Sequence, residues 1–126
     1  MIMAQSSFGS YLRTLRTEMD PPMTQEMLAK AIGRKKMTIS QFEQGKNAPP
    51  QGDLLNKLIL ALSLTEEQEK QLRYLAAASR NSVPSDIAEY FYNNPAICDA
   101  IRAAKQSGWS EADWKRIDFS RSQSVR

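Results

Sequence analysis

Histidine is absent from this 126-residue chain, and cysteine occurs once, as Cys98. Together these shortages exclude Ser-His-Asp triads, Cys-His dyads and the usual zinc sites. A single cysteine forms no internal disulfide, which fits a reducing compartment. The five glycines are scattered, so there is no Gly-rich phosphate loop. No apolar run approaches membrane-spanning length. The opening "MIMAQSSFGS" lacks the basic head and apolar stretch of a signal peptide. No acid pair stands out from ordinary helix surface. These shortages lead to the expectation of a cytoplasmic protein that is not an enzyme, with no metal, no cofactor and no membrane partner.

Hydrophobic residues make up 41% of the chain, enough for a core. The net charge of +3 is unevenly spread. Residues 1–50 hold seven Lys/Arg against four Asp/Glu, residues 51–79 three against four, and residues 80–126 seven against six. From Lys30 to Lys46 there are five cations and one acid, Glu43. A positive patch on a near-neutral body suits an anionic partner such as nucleic acid. Its centre is Gly33 to Gly45, "GRKKMTISQFEQG", where three consecutive cations precede residues patterned at helical spacing.

The chain reads as helix after helix, with no sustained strand alternation. Ser7 to Met19 carries Phe8, Tyr11, Leu12 and Leu15 at i, i+3, i+4, i+7 and is stopped by "DPP" at Asp20 to Pro22. Thr24 caps a second helix with Glu26 in its first turn. Met27, Leu28, Ala31 and Ile32 form its apolar face, and Gly33 ends it. A third helix spans about Lys35 to Gln44, with Ile39 and Phe42 facing inward, and Gly45 ends it. The loop "GKNAPPQG" cannot be helical. Leu54, Leu55, Leu58, Ile59 and Leu62 mark a fourth helix, Asp53 to Leu62. A fifth opens at the capping box "TEEQ", Thr65 to Gln68, and turns Leu72, Leu75 and Ala76 inward. These stripes all feed one core and leave no second apolar face.

A boundary follows at "SRNSVPS". Beyond it stand three short helical segments: about Ser85 to Tyr92, a second capped at Asn94 with Pro95 in first position, and a third opening at Ser110. The end, "SRSQSVR", has no core former and is expected to form a flexible tail over residues 120–126.

Two short helices joined by a tight Gly turn form a helix-turn-helix arrangement. Ala29, small, lets the second and third helices approach. Gly33 permits a left-handed backbone at the corner. Ile39 anchors the third helix, leaving Lys36, Met37, Ser40, Gln41 and Gln44 outward. The stretch Thr24 to Pro50, "TQEMLAKAIGRKKMTISQFEQGKNAPP", resembles the DNA-binding motif of the phage repressor and Cro (XRE) family. The shared features are "TQE-LA" opening the second helix, the turn Gly, "TIS" in the third helix, then an aromatic residue, Glu, any residue and Gly. The resemblance covers residues 7–79 and implies an all-α, five-helix repressor-like domain. Two positions depart from the family: Arg34 stands where a small apolar residue packs inward, and Lys35 where Ser or Thr caps the helix. "DPP" also lengthens the connection between the first two helices.

The resemblance implies a dimeric repressor that inserts its third helix into the major groove of a palindromic double-stranded DNA operator. Lys36, Met37, Ser40 and Gln41 are then expected to read bases, Gln being the side chain that pairs bidentately with adenine. Gln25, Arg34, Lys35, Gln44, Lys46 and Asn47 are expected on phosphate. The resemblance also pairs Glu43 with Arg16, tying the motif to the scaffold. Residues 80–119 are expected to supply a homodimerisation or partner surface through Tyr90, Phe91, Ile97, Ile101, Trp109 and Trp114, because aromatics are enriched at interface cores. Two other readings stay open: an antitoxin whose C-terminal part binds a toxin, and an adaptor for a regulatory protein.

Overall fold

The computed structural model describes residues 7–119; the expected flexible tail, 120–126, lies outside them. Among the described residues there are eight helices and no strand: α1 (Phe8–Thr17), α2 (Gln25–Ile32), α3 (Lys36–Gln44), α4 (Gly52–Leu62), α5 (Glu66–Ala78), α6 (Ala88–Tyr92), α7 (Ala96–Gln106) and α8 (Glu111–Lys115). None is long and apolar enough to cross a membrane.

Local chemistry sets the boundaries. The Ser7 hydroxyl accepts from the Ser10 N–H at 3.1 Å, and Thr24 accepts from Met27 N–H at 3.0 Å. Thr65 accepts from Gln68 N–H at 3.1 Å while the Thr65 N–H donates to Gln68 Oε1 at 3.0 Å, a reciprocal capping box. Residues 85–87 form a turn, with the Ile87 N–H donating to Pro84 O at 3.1 Å, so the helix begins at Ala88 rather than near Ser85.

The chain divides into two compact units with the break between Glu89 and Tyr90. The first holds one apolar core. Leu12, Leu28, Ile32, Ile39, Leu58 and Leu72 are fully buried, one or two from each of α1 to α5. On α2 the inward face is Leu28, Ala29 and Ile32; Met27 and Ala31, expected inside, are exposed. The first unit also has apolar side chains outside its core. Leu60 on α4 and Tyr74 on α5 are exposed.

The segment after α5 belongs to the first unit, held by two arginines. The Arg73 guanidinium donates to Glu69, to Asn56 Oδ1 at 3.0 Å and to Ser85 Oγ at 3.1 Å. Arg80 donates to the carbonyl oxygens of Ala76 and Pro49.

In the second unit, the Ser110 N–H donates to Asp113 Oδ2 at 2.8 Å at the start of α8. The Trp109 and Trp114 rings meet edge-to-face with centroids 4.9 Å apart.

Candidate nucleic-acid interface

The corner between α2 and α3 is made by Gly33, whose φ of 71° and ψ of 35° lie in the left-handed region. Beyond its two chain neighbours, no atom lies within 4 Å of where a Cβ would stand. The backbone conformation, not space, therefore calls for glycine. The corner is closed by the Arg34 N–H donating to Ala29 O at 2.9 Å and the Gly33 N–H to Lys30 O at 3.2 Å. Ala29 is buried on α2, and Ile39 and Phe42 seat α3 on the core.

α1 braces α3 from the other side. Gly9 sits so close to α3 that an added Cβ would lie 2.4 Å from Phe42 O and 2.5 Å from Glu43 O. Phe8 meets the edge of Phe42 at a centroid distance of 6.5 Å. About two turns further along α1, Arg16 forms a two-pronged pair with the side chain of Glu43: Nε to Oε2 at 2.6 Å and Nη2 to Oε1 at 3.0 Å. Their side chains are 10% and 4% exposed, so removing one partner would strand a buried charge. Arg16 Nη1 also donates to Met23 O at 2.9 Å, and the Met23 N–H returns a bond to Arg16 O at 3.1 Å. This exchange ties down the "DPP" connection. Gln25 Nε2 donates to Glu43 Oε1 at 3.0 Å. One amide hydrogen of Gln25 is thus committed to the brace, and the second remains for an outside acceptor.

α3 begins without a side-chain cap. Lys35 is its N-cap residue, and no acid lies in its first turn. Arg34 is exposed and donates to Gly33 O at 3.2 Å, so its stem is not packed inward as a small apolar residue would be. Met37 is 66% exposed. Lys36 and Gln44 are exposed, and Ser40 and Gln41 are half-buried. Gln44 Nε2 donates to Ser40 Oγ at 3.1 Å, and Asn47 Nδ2 donates to Gln41 Oε1 at 2.7 Å. Lys30, Arg34, Lys35, Lys36 and Lys46 are all exposed, and none enters an ion pair with a described acid. The one acid in their interval, Glu43, is turned inside and neutralised by Arg16. The patch is therefore more positive at the surface than its residue count implies.

Sequence reasoning missed Arg13. It lines an open hollow together with Arg16, Thr24, Gln25, Glu26 and Lys36, where α1 comes beside the starts of α2 and α3. The signal was available as its i, i+3 relation to Arg16, but only the packing of α1 shows which way it faces. Gly9 was also missed. A glycine inside a helix costs roughly 1 kcal/mol relative to alanine, so its place in a strong amphipathic stripe was a hint of close approach.

In the second unit, Tyr90, Ile101, Trp109 and Trp114 are exposed, while Phe91 and Ile97 are half-buried. Ala104 is its one buried apolar residue among those described.

The model of a family described as helix-turn-helix domain matches residues 7–72. No curated protein and no solved structure matches the chain.

Proposed function

The chain belongs to the helix-turn-helix domain family, and from that premise we propose that it is a sequence-specific double-stranded DNA-binding transcriptional regulator of the phage repressor (XRE) type. It represses by seating α3 in the major groove of a palindromic operator, as a cytoplasmic homodimer. The observation that carries this reading is the charge arrangement around α3. Five exposed cations surround an exposed helix face, and the only acid among them is buried against Arg16. Lys36, Met37, Ser40 and Gln41 face base edges. Arg34, Lys35, Gln44 and Lys46 face phosphate, joined by Arg13 and the second amide hydrogen of Gln25 from the hollow beside α2.

Binding to the selected operator, measured across salt concentrations, tests this. Affinity falls steeply with salt through counterion release. Arg13→Ala and Lys46→Ala each weaken binding to all sequences alike and lower the salt slope by about one. Lys36→Ala costs about 1–3 kcal/mol on the best operator and relaxes one base pair per half-site. A wild-type chain that binds no DNA at low salt overturns the reading.

Dimerisation through residues 90–119 is supported by the exposed aromatics there. Two recognition helices must be held about 34 Å apart to meet successive half-sites. Sedimentation of the full chain on its operator checks this, and a monomer on DNA favours a protein partner, such as a toxin, for that surface.

A further inference from the structure

The side-chain contact between Asn47 and Gln41 is not explained by packing, since Asn47 lies in the exposed loop after α3. Asn47 is held there from two directions. Gly45, with φ 77° and ψ 12°, reverses the chain at the end of α3. The Lys46 and Asn47 N–H groups then both donate to Gln41 O, at 2.9 and 3.3 Å. From that anchored position the Asn47 amide donates to Gln41 Oε1 at 2.7 Å. Gln41 is half-buried on α3, and its amide oxygen is the end that the loop engages.

A glutamine pairs bidentately with adenine only if its oxygen accepts from N6 while its nitrogen donates to N7. Here the oxygen is turned toward the loop. The nitrogen, with both hydrogens, is the part left to point elsewhere. A donor-only side chain suits the guanine edge, whose N7 and O6 are both acceptors, and is opposed by the N6 hydrogens of adenine.

We propose that Asn47, rather than gripping phosphate, is a specificity-determining positioning residue: it orients the Gln41 amide so that Gln41 presents donors to the groove and selects guanine over adenine. This rests on the docking of α3 described above. Asn47 touches no base; it acts through Gln41.

Selection of bound sites by the full-length chain tests it, read at the base pair whose preference Gln41→Ala abolishes. The wild type prefers guanine over adenine there by about tenfold or more. Asn47→Ala frees the Gln41 amide, and that preference falls to within about threefold while the other positions keep theirs. Asn47→Asp offers only acceptor oxygens. It draws the Gln41 nitrogen to the loop, turns the oxygen outward and moves the preference toward adenine or cytosine, the bases with groove donors. The added charge lowers affinity for every site but not this ratio. Guanine preference unchanged in both variants, or a wild type that prefers adenine at this position, overturns the inference while leaving DNA binding intact. A wild type that selects no DNA overturns the proposed function and this inference together.

Discussion

The two units of the molecule use similar apolar material in opposite ways. In the first, α1 to α5 interlock, and fifteen residues from Phe8 to Ala76 form a continuous buried cluster. In the second, which begins within α6, α7 and α8 have eleven and five residues, and Tyr90, Tyr92, Trp109, Trp114, Ile117 and Phe119 stay exposed. Amphipathic spacing identifies residues that share a helix face. It does not supply the second face against which they pack. The first unit also has devices that only a cross-helix neighbour makes possible: a glycine admitting a backbone, a buried ion pair and two arginines strapping the segment after α5.

The difference is broken most severely at the ion pair. Glu43→Ala strands the buried Arg16 guanidinium and removes the acceptor of Gln25, and is expected to cost roughly 3–5 kcal/mol in urea unfolding. The double replacement Arg16→Met with Glu43→Leu recovers most of that loss, because no charge is then left unpaired. Next comes Gly9→Ala. The new methyl meets backbone oxygens of α3 that cannot rotate aside, and the expected cost is roughly 1–3 kcal/mol, set against the helix propensity that alanine gains. Its urea midpoint falls, whereas most helical Gly→Ala changes raise theirs.

Truncation sharpens the comparison with a smaller effect. A chain ending at Glu89 keeps the unfolding midpoint of the first unit in the full-length protein. A chain ending at Ser79 loses the Arg73–Ser85 and Arg80–Pro49 contacts and is about 1–2 kcal/mol less stable. Equal midpoints for the two truncations would mean that residues 80–89 contribute nothing to the first unit. The smallest effect is at high pH. Burial, then the carboxylates of Glu18 and Glu67, raise the Tyr11 phenol above its ordinary value. The folded chain therefore holds that proton more tightly than the unfolded one. The associated stability is fully present below about pH 10 and is lost as pH rises through the raised value. Tyr11→Phe flattens that alkaline decline in a melting series.

Much of the first unit was legible in the sequence because its helices carry their own punctuation. Thr24, Thr65, Gly33 and Gly45 mark ends through local hydrogen bonds and backbone preference, which require no knowledge of the rest of the fold. The errors came where a neighbour decides. Met27 and Ala31 have the right spacing for the apolar side of α2, but the core takes Leu28, Ala29 and Ile32 from that helix, and they are left outside. At the interface, the clustering of cations around one short helix, from Lys30 to Lys46, was visible from residue order. The arrival of Arg13 from α1, the turning of the Gln25 amide toward Glu43 and the hold of Asn47 on Gln41 were not. Each depends on the path of a loop or on the packing of a separate helix, and single-chain periodicity contains neither.

The uncapped start of α3 has a consequence for the unbound molecule. α2 opens with Thr24 and Glu26, and α5 with Thr65, Glu66, Glu67 and Glu69, all favourable against the positive pole of a helix. α3 opens with Lys35 and Lys36 against that same pole. Unbound, the protein keeps a local frustration in which cations and helix dipole repel one another, worth about 0.3–1 kcal/mol for each charge at low ionic strength. Dilute salt screens it, and a polyanion turns it into attraction. The free protein is therefore least at ease in pure water, and it melts higher with a phosphate backbone at that end than alone, so the ligand completes an electrostatic pattern that the chain by itself leaves open.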